Sequence, residues 1–305
     1  MSMLNPPKNA PHWHVLGLGS LGSLSAYYLL QSGFTVSVLP RAPTHLVART
    51  LHFPLPHTAP LTLSLRADDQ GIPITHLWLT VKAHDTALAL RPWLPHLASN
   101  ATIVCLQNGM GTLDDIALPA DCEVIYASST NGVWRDADQI HIAAENTTEI
   151  GNHSNTPPEW FSPLQQQFSG LHWNHNIDTA RWQKLTVNAV INPLTALYQC
   201  RNGALLDGGE RERAMEKLAN EIDQLCTLIF GHSNWQADTL QRSLSIARQT
   251  ARNTSSMLAD RLAGRSTEIE FINGFLLRQA EKYDVVLPFN QSCVQRLQAL
   301  NQLSQ

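Results

Sequence analysis

The sequence Gly17-Leu18-Gly19-Ser20-Leu21-Gly22 indicates how the first half of this chain folds. A short apolar run, Trp13 to Leu18, leads into it, a helical pattern ending at Gly33 follows it, and Thr35 to Leu39 form a second β-type run. Strand, G-x-G-x-x-G, helix and strand within about thirty residues are typical of the first unit of a Rossmann-type sheet. The sequence therefore predicts an α/β Rossmann-type domain that begins near residue 12.

Each glycine of this motif has a physical reason to be there. Gly17 permits a tight turn, Gly19 lets a ligand approach the backbone, and Gly22 lets the helix pack closely against the strand. The helix N-terminus attracts the negative charge of a pyrophosphate, so a dinucleotide is the expected ligand. The alternative is that the glycines only shape the turn. The residues expected to contact the dinucleotide are Gly17, Leu18, Gly19, Ser20, Leu21 and Gly22.

The residues after the second β-type run indicate which dinucleotide binds. NAD sites place an acid there for the ribose 2′-hydroxyl, whereas NADP sites use arginine for the 2′-phosphate. This chain has Leu39-Pro40-Arg41, with no acid and with a guanidinium that suits a phosphate. The sequence therefore favours NADPH, with Arg41 as a contact, although arginine is also common in surface turns.

Two further strand ends carry polar groups. Leu77 to Val81 are followed by Lys82, and Thr102 to Leu106 lead into Gln107-Asn108-Gly109-Met110-Gly111. The segment between these two runs, Asp85 to Leu97, is predicted to be helical. Because ligands of open parallel sheets lie beyond the carboxyl ends of the strands, Lys82 and the glycine-containing loop are expected to face cofactor or substrate. The alternative for Lys82 is that it is only solvated, as lysines at strand ends usually are.

The character of the chain changes near residue 178, where strand-like runs give way to helical periodicity. Further strands are predicted near 46–66, 123–127, 139–143, 148–151 and 171–173, with a helix at 157–168. Helices are predicted near 179–198, 209–230, 235–251, 254–263, 267–283 and 289–303. The predicted organisation is a loose leader at 1–11, a dinucleotide-binding Rossmann domain at 12–177, and a helical substrate and catalytic domain at 178–305.

The segment from Arg181 to Leu197 reads as a helix that is apolar on nearly every side, which is typical of a buried helix. Lys184, Asn188 and Asn192 are exceptions, and their spacing rotates them by only about 40° per step, so they share one stripe. Thr195 falls on the same stripe. Buried polar groups need partners, and a polar ligand is the simplest one. The alternative is that Lys184 reaches water and the asparagines bond to nearby backbone.

A second acidic segment lies in the helical half. Thr267 and Glu270 fit a capping box, with Glu268 in the first helical turn, where the helix dipole favours carboxylates. The functional alternative is that one of these acids meets Lys184. Spacing alone does not decide between the two.

Composition excludes several classes of protein. The net charge of −4 over 305 residues, without a run of Lys or Arg, argues against nucleic-acid binding. No apolar run approaches the length of a membrane span and no signal-peptide pattern is present, so a cytoplasmic protein is expected. Five scattered cysteines predict neither a disulfide framework nor a zinc site, and no metal ligand set is proposed. Two pairs of histidines, His12 with His14 and His172 with His175, are interpreted as surface or rim residues.

Taken together, these motifs resemble the ketopantoate reductases (2-dehydropantoate 2-reductases), and the resemblance covers nearly the whole chain after the leader. The motifs that carry it are Gly-Leu-Gly-Ser-Leu-Gly at 17–22, Val-Lys-Ala at 81–83, Gln-Asn-Gly-Met-Gly at 107–111, Lys-Leu-Thr-Val-Asn-Ala-Val-Ile-Asn-Pro-Leu-Thr-Ala at 184–196, Asn-Gly at 202–203, Ser-Ser-Met-Leu at 255–258 and Thr-Glu-Ile-Glu-Phe-Ile-Asn-Gly at 267–274. The resemblance implies a Rossmann-type domain followed by an all-α domain like the C-terminal domain of 6-phosphogluconate dehydrogenase. It also implies NADPH-dependent reduction of ketopantoate to (R)-pantoate in pantothenate and coenzyme A biosynthesis, by a monomer or homodimer.

The resemblance also implies roles for individual residues. It makes Lys184 the general acid and Glu268 the acid that orients it and reaches the cofactor. The implied substrate contacts are Asn108, Lys184, Asn188, Asn192, Asn202 and Ser256. Besides the glycine motif and Glu268, the implied cofactor contacts are Arg41, Lys82, Asn108 and the backbone near Val133. Ser128-Ser129-Thr130-Asn131 is only loosely like the threonine-rich turn of the family, which weakens the assignment of Val133.

Two alternatives remain open at this point. A reductase of another 2-oxo acid could use the same two-domain plan, because the asparagine stripe favours a substrate with a distant hydroxyl but does not identify it. A non-catalytic NADPH sensor is the alternative from another class, since fold does not fix function. A sensor has no need for Lys184, Glu268 and Ser256 together, and this chain has all three.

Overall fold

The computed structural model of the protein describes residues 10–42, 44–54, 59–67, 72–168 and 170–302. The predicted leader therefore lies outside the described residues up to residue 9. The chain divides into two compact units. One comprises Met1–Gln107 with Leu113–Arg181, and the other comprises Asn108–Thr112 with Trp182–Gln305.

The first unit is an α/β unit in which, among the described residues, three α-helices lie between groups of strands along the chain. Its first elements are β1 (His12–Leu16), α1 (Ser20–Gln31), β2 (Thr35–Leu39), β3 (Leu46–His52), β4 (Leu61–Ala67), β5 (Ile74–Leu79) and α2 (Thr86–Leu90). The later ones are β6 (Leu97–Leu106), β7 (Glu123–Ser129), β8 (Gly132–Asp136), β9 (Gln139–Ala144), β10 (Thr148–Gly151), α3 (Phe161–Gln167) and β11 (Leu171–Trp173).

All described strands belong to one mixed sheet with the order β11-β10-β7-β6-β5-β1-β2-β4-β3-β9-β8. The central strands β2, β1, β5, β6 and β7 are parallel, and Trp13 of β1 lies in register with Val36 of β2 and His76 of β5. A parallel strand pair joined through α1 is the Rossmann unit that the glycine motif predicts, and this prediction is confirmed.

Strand β1 is buried on both faces, which is expected of a central parallel strand. Trp13 and Val15 belong to the apolar cluster on one face of the sheet, and Leu16 belongs to the cluster on the other. His14 is 0% exposed and stacks on His12 with ring centroids 4.6 Å apart. The interpretation of His14 as a surface histidine is therefore wrong, because a central strand has no solvent face. His172 and His175 are exposed, as predicted.

The prediction for this unit differs from the structure at one predicted helix and at one strand that the sequence does not predict. The predicted helix from Asp85 to Leu97 is reduced to α2 with a short 3-10 turn on either side, because Pro92 and Pro95 cannot continue a helix. Strand β8 was not predicted. It is the last strand of the sheet on that side and is mostly exposed, so its sequence lacks the apolar alternation that identifies a strand.

In the described part of the second unit the regular elements are helical, and the C-terminal helices were predicted within a few residues. Helix α4 (Ile177–Tyr198) begins in the first unit and continues in the second. The others are α5 (Glu210–Phe230), α6 (Thr239–Gln249), α7 (Ser256–Leu262), α8 (Ile269–Lys282) and α9 (Pro288–Gln302). An α/β unit followed by an all-helical one confirms the predicted fold class.

Helix α4 is buried along most of its length. Val190, Ile191 and Leu194 are almost fully buried and belong to the apolar core that α5, α8 and α9 also line. This confirms the prediction that the helix is buried on most sides. None of the described helices combines the length and the apolar character that a membrane crossing requires.

The lowered pKa of His76, a histidine of β5, predicts that the protein loses stability in acid. Burial, followed by repulsion from His14, lowers the pKa of His76 from 6.5 to about 4. The unfolded chain therefore binds a proton at a higher pH than the folded protein does, so the free energy of unfolding should fall as the pH drops from 6.5 towards 4. Urea unfolding at several pH values should show a shallower fall in His76→Gln. His172→Gln, an exposed histidine, should behave like wild type, and an unchanged slope in His76→Gln would contradict the prediction.

Candidate active site

Lys184 lies within hydrogen-bond distance of a loop that belongs to the same unit. Its Nζ donates to Oδ1 of Asn108 at 3.0 Å. The loop is fixed to the start of α8, because the backbone N–H of Met110 donates to the carbonyl oxygen of Phe271 at 2.8 Å. Gly109 has φ +80°, and a Cβ at this position would lie 2.5 Å from the Phe271 carbonyl oxygen. Only glycine fits this approach, which holds Asn108 beside the amine.

The electrostatic setting of Lys184 favours proton exchange near neutral pH. Desolvation by burial lowers the pKa of Lys184 from 10.5 to about 8, and attraction to the Glu268 carboxylate offsets part of this effect. Glu268 itself is 5% exposed. Lys184 and Glu268, which are far apart in the sequence, therefore interact within the helical unit, as do Lys184 and Asn108. An amine with such a pKa can stabilise an oxyanion and donate a proton.

The start of α8 differs from the predicted capping box. The helix begins at Ile269 with Glu268 as its N-cap, and no side chain provides a capping hydrogen bond. The hydroxyl of Thr267 is buried and has no hydrogen-bond partner among the described residues. The capping box of Thr267 with Glu270 is therefore wrong, because the helix starts one residue later than that motif requires.

The stripe on α4 leads to the start of α7. Asn188 is partly buried, and Asn192 and Thr195 are 7% and 0% exposed. The Thr195 hydroxyl lies 2.7 Å from the Ser255 hydroxyl, which accepts the backbone N–H of Leu258 at 3.1 Å and so caps α7. Sequence analysis did not assign Ser255. Its bond to Thr195 fixes the first turn of α7, where Ser256 is exposed.

Asn202, another predicted substrate contact, is held by hydrogen bonds from its side chain and its backbone. It opens a 3-10 turn, Asn202–Leu206, and is 7% exposed. Its Nδ2 donates to the Thr250 hydroxyl at 2.9 Å, and its backbone N–H donates to the Asn253 carbonyl at 3.1 Å. Its amide donor is thus engaged by the protein.

The glycine loop of the first unit has the geometry that a phosphate cradle needs. Gly17 has φ +103°, and a Cβ there would lie 2.5 Å from the backbone nitrogen of Val81. A Cβ on Gly22 would lie 2.1 Å from the Gly17 carbonyl oxygen and 2.4 Å from the Thr80 hydroxyl. A Cβ on Gly19 would meet no atom within 4 Å. The loop therefore packs tightly at Gly17 and Gly22, whereas the space next to Gly19, where helix α1 begins, is open. This leaves room for a ligand at the first N–H groups of the helix.

Arg49 on β3 supports this loop and was missed by sequence analysis. Its Nε donates to the Leu18 carbonyl at 3.3 Å, and its Nη1 lies 2.7 Å from the exposed Asp138 carboxylate. Its side chain is 13% exposed, and burial, with repulsion from Arg135, lowers its pKa. An arginine within an ordinary amphipathic strand gave no sequence signal for this contact.

The remaining predicted cofactor contacts lie in the first unit. Arg41 is exposed two residues after β2, and Lys82 is partly buried three residues after β5. Val133 lies on β8, which four strands separate from β1 in the order of the sheet. Gln107 joins two strand ends, since its Nε2 donates to the Val81 carbonyl and to the Thr86 hydroxyl, each at 2.7 Å.

Comparison with known proteins gives matches over most of the chain. The family model "Ketopantoate reductase PanE/ApbA" matches residues 13–155, and its counterpart "Ketopantoate reductase PanE/ApbA C terminal" matches residues 176–301. The chain is 30% identical to the 2-dehydropantoate 2-reductase of Vibrio cholerae over 295 residues, which cover 94% of this chain and 97% of that protein.

Solved structures share the fold at low sequence identity. A PanE/ApbA family ketopantoate reductase from Ralstonia eutropha aligns with a TM-score of 0.84 and 20% identity, covering 96% of this chain and 99% of that one. A D-mandelate dehydrogenase in a ternary structure with NADH and anilino(oxo)acetate aligns with a TM-score of 0.82 and 18% identity, with the same coverage of each chain. These likenesses concern the fold alone.

The packing of the glycine loop predicts that Gly22→Ala lowers the stability of the protein and that Gly19→Ala does not. Gly22→Ala places a Cβ against the backbone oxygen of Gly17 and should lower the free energy of unfolding by about 1–3 kcal/mol. Gly19→Ala meets no protein atom and should leave stability within about 0.5 kcal/mol of wild type. Denaturant unfolding measures both. Equal losses in the two variants would contradict the packing described for this loop.

Proposed function

Since this chain belongs to the ketopantoate reductase family, we propose that it is an NADPH-dependent 2-dehydropantoate 2-reductase, which reduces ketopantoate to (R)-pantoate for pantothenate and coenzyme A synthesis. The observation that carries the proposal is the partly buried Lys184 amine, bound to Asn108 and attracted by Glu268 within one unit. This is the arrangement that proton donation to a reduced carbonyl needs.

Lys184 is proposed as the general acid. Reduction of a 2-oxo acid leaves negative charge on the former carbonyl oxygen, and an ammonium that hydrogen-bonds to this oxygen and then releases a proton stabilises the product state. Burial makes the proton easier to release, whereas Glu268 keeps part of the amine protonated at neutral pH. The Asn108 oxygen accepts one Nζ hydrogen and so restricts the direction of the others.

The substrate is proposed to lie along the α4 stripe. Asn188 and Asn192 are proposed to bind its hydroxyl end, and Ser256, exposed at the capped start of α7, is proposed to bind its carboxylate. Asn202 is proposed for the hydroxyl end as well. Because its amide already donates to Thr250, it would have to exchange that bond for one to the substrate.

NADPH is the proposed cofactor, and it supplies the hydride when bound. The open position of Gly19 beside the start of α1 fits a pyrophosphate, and the exposed Arg41 fits a 2′-phosphate. Lys82, Asn108, Glu268 and the backbone near Val133 are proposed as further contacts.

Arg41→Ala should raise the KM for NADPH about tenfold and leave the KM for NADH nearly unchanged, because only NADPH carries that phosphate.

A substrate panel tests the proposed activity. NADPH oxidation is measured with ketopantoate, pyruvate, 2-oxoisovalerate and the 2-oxo acid that corresponds to mandelate, since a mandelate dehydrogenase shares the fold. We expect the highest kcat/KM with ketopantoate. A higher value with another acid would support a different 2-oxo acid reductase, and no turnover with any acid while NADPH binds would support a sensor.

The pH dependence tests the role of Lys184. The protonated amine is the active form, so kcat/KM should fall as the pH rises above about 8. Glu268→Gln removes the attraction that raises the pKa of Lys184, so this fall should begin at lower pH. Lys184→Ala should lose turnover by ~10² or more and keep NADPH binding.

Glu270→Gln is the matched control for this experiment. It changes the neighbouring acid, whose carboxylate accepts a hydrogen bond from Gln298. Its profile should have the same alkaline limb as wild type. An unmoved limb in Glu268→Gln, or near-normal kcat in Lys184→Ala, would exclude the role assigned to Lys184.

A further inference from the structure

Helix α4 contains Pro193 between buried residues of the substrate stripe. Proline has no backbone N–H, so the carbonyl of Ala189, four residues earlier, does not receive its ordinary helical hydrogen bond. Ala189 is 0% exposed. A buried carbonyl without a partner destabilises a protein, so the chain has to supply another donor.

Asn273 of α8 supplies it. Its Nδ2 donates to the Ala189 carbonyl oxygen at 2.9 Å. Asn273 is 0% exposed and follows Glu268 by five residues at the start of the same helix. The side chain of one helix thus replaces the missing backbone donor of another, and both helices belong to the unit that holds Lys184.

A chain of hydrogen bonds fixes the Asn273 amide in this orientation. Its Nδ2 also donates to Oδ1 of Asn290 at 2.8 Å, and Nδ2 of Asn290 donates to Oε2 of Glu221 at 2.9 Å. Glu221 also accepts the backbone N–H groups of Phe289 and Asn290, at 2.8 and 3.0 Å, at the start of α9. The Ala189 carbonyl and Asn290 Oδ1 both accept from Nδ2, and since an amide oxygen cannot donate, either acceptor alone is enough to orient the Asn273 amide.

The position of this contact on α4 gives it a functional consequence. Ala189 is adjacent to Asn188, and Pro193 is adjacent to Asn192. The interrupted hydrogen bond therefore spans the turn between the two amides of the stripe. We propose that Asn273 is a positioning residue: by replacing the N–H that Pro193 lacks, it sets the turn that directs Asn188 and Asn192 at the substrate. This inference rests on the proposed function.

Two matched substitutions separate positioning from stability. Asn273→Leu and Asn290→Leu each replace a fully buried asparagine of the same network, and both should lower the Tm. Only Asn273→Leu removes the donor to α4, so it should raise the KM for ketopantoate about tenfold. Its Kd for NADPH, measured by fluorescence without substrate, should stay unchanged. Asn290→Leu should leave the KM within about twofold of wild type.

An equal rise in KM in both variants, or none in Asn273→Leu, would overturn the proposal. If the leucine variants do not fold, Asn273→Ser and Asn290→Ser form the same comparison.

A rescue variant tests the hydrogen bond itself. Pro193→Ala restores a backbone N–H that can donate to the Ala189 carbonyl, so Asn273→Leu should cost much less in this background. The KM values of the two single variants and the double variant should therefore be non-additive, with most of the rise caused by Asn273→Leu recovered. Additive effects would overturn the proposal.

Four proteins distinguish failure of this inference from failure of the proposed function: wild type, Asn273→Leu, Pro193→Ala and the double variant. Wild type that does not oxidise NADPH with ketopantoate refutes the function, and the KM comparison is then made with the acid that the substrate panel identifies. The Tm values of the four proteins test the replacement of the missing N–H without any substrate, and additivity of their Tm changes would refute it.

Discussion

The partial burial of the Lys184 ammonium is the constraint on which the helical unit depends. A charge that loses part of its hydration needs compensating partners, and here these are the Asn108 oxygen and the Glu268 carboxylate. Asn108 comes from a short loop that would otherwise belong to the α/β unit, and Gly109 lets that loop lie against the backbone of α8. Desolvation lowers the pKa of the amine to about 8, and the Glu268 carboxylate opposes part of this shift, so the amine keeps its charge while its proton becomes easier to release.

Much of this architecture could be predicted from local sequence. The spacing of Lys184, Asn188 and Asn192 on an apolar helix predicts a polar stripe in a buried element, because helical periodicity is a local property. The glycine motif predicts the first strand, turn and helix, since Gly17 and Gly22 meet conditions set by residues close in sequence and by one neighbouring strand. The resemblance to the ketopantoate reductases supplied the roles of individual residues, which the spacing alone left open.

The rest depends on contacts between distant residues, which local patterns do not report. Thr267 and Glu270 have the spacing of a capping box, but the helix starts at Ile269 with Glu268 as its N-cap. His14 is buried because β1 has neighbours on both sides and layers on both faces. In the sequence, Asn273 is an ordinary polar residue of a helix. Only the structure shows that it donates to the Ala189 carbonyl, which Pro193 leaves without a helical donor.

Arg49 and Arg41 lie in different segments of the α/β unit, and this separation has a consequence for engineering. Arg49 braces the Leu18 carbonyl from β3, whereas Arg41 lies in the turn after β2. The support of the glycine loop and the arginine proposed for the 2′-phosphate are thus encoded in separate segments of sequence. With the role proposed for Arg41, exchange of the turn after β2 would alter coenzyme preference and keep the Arg49 contact, so that selectivity changes without rebuilding the scaffold that holds the loop.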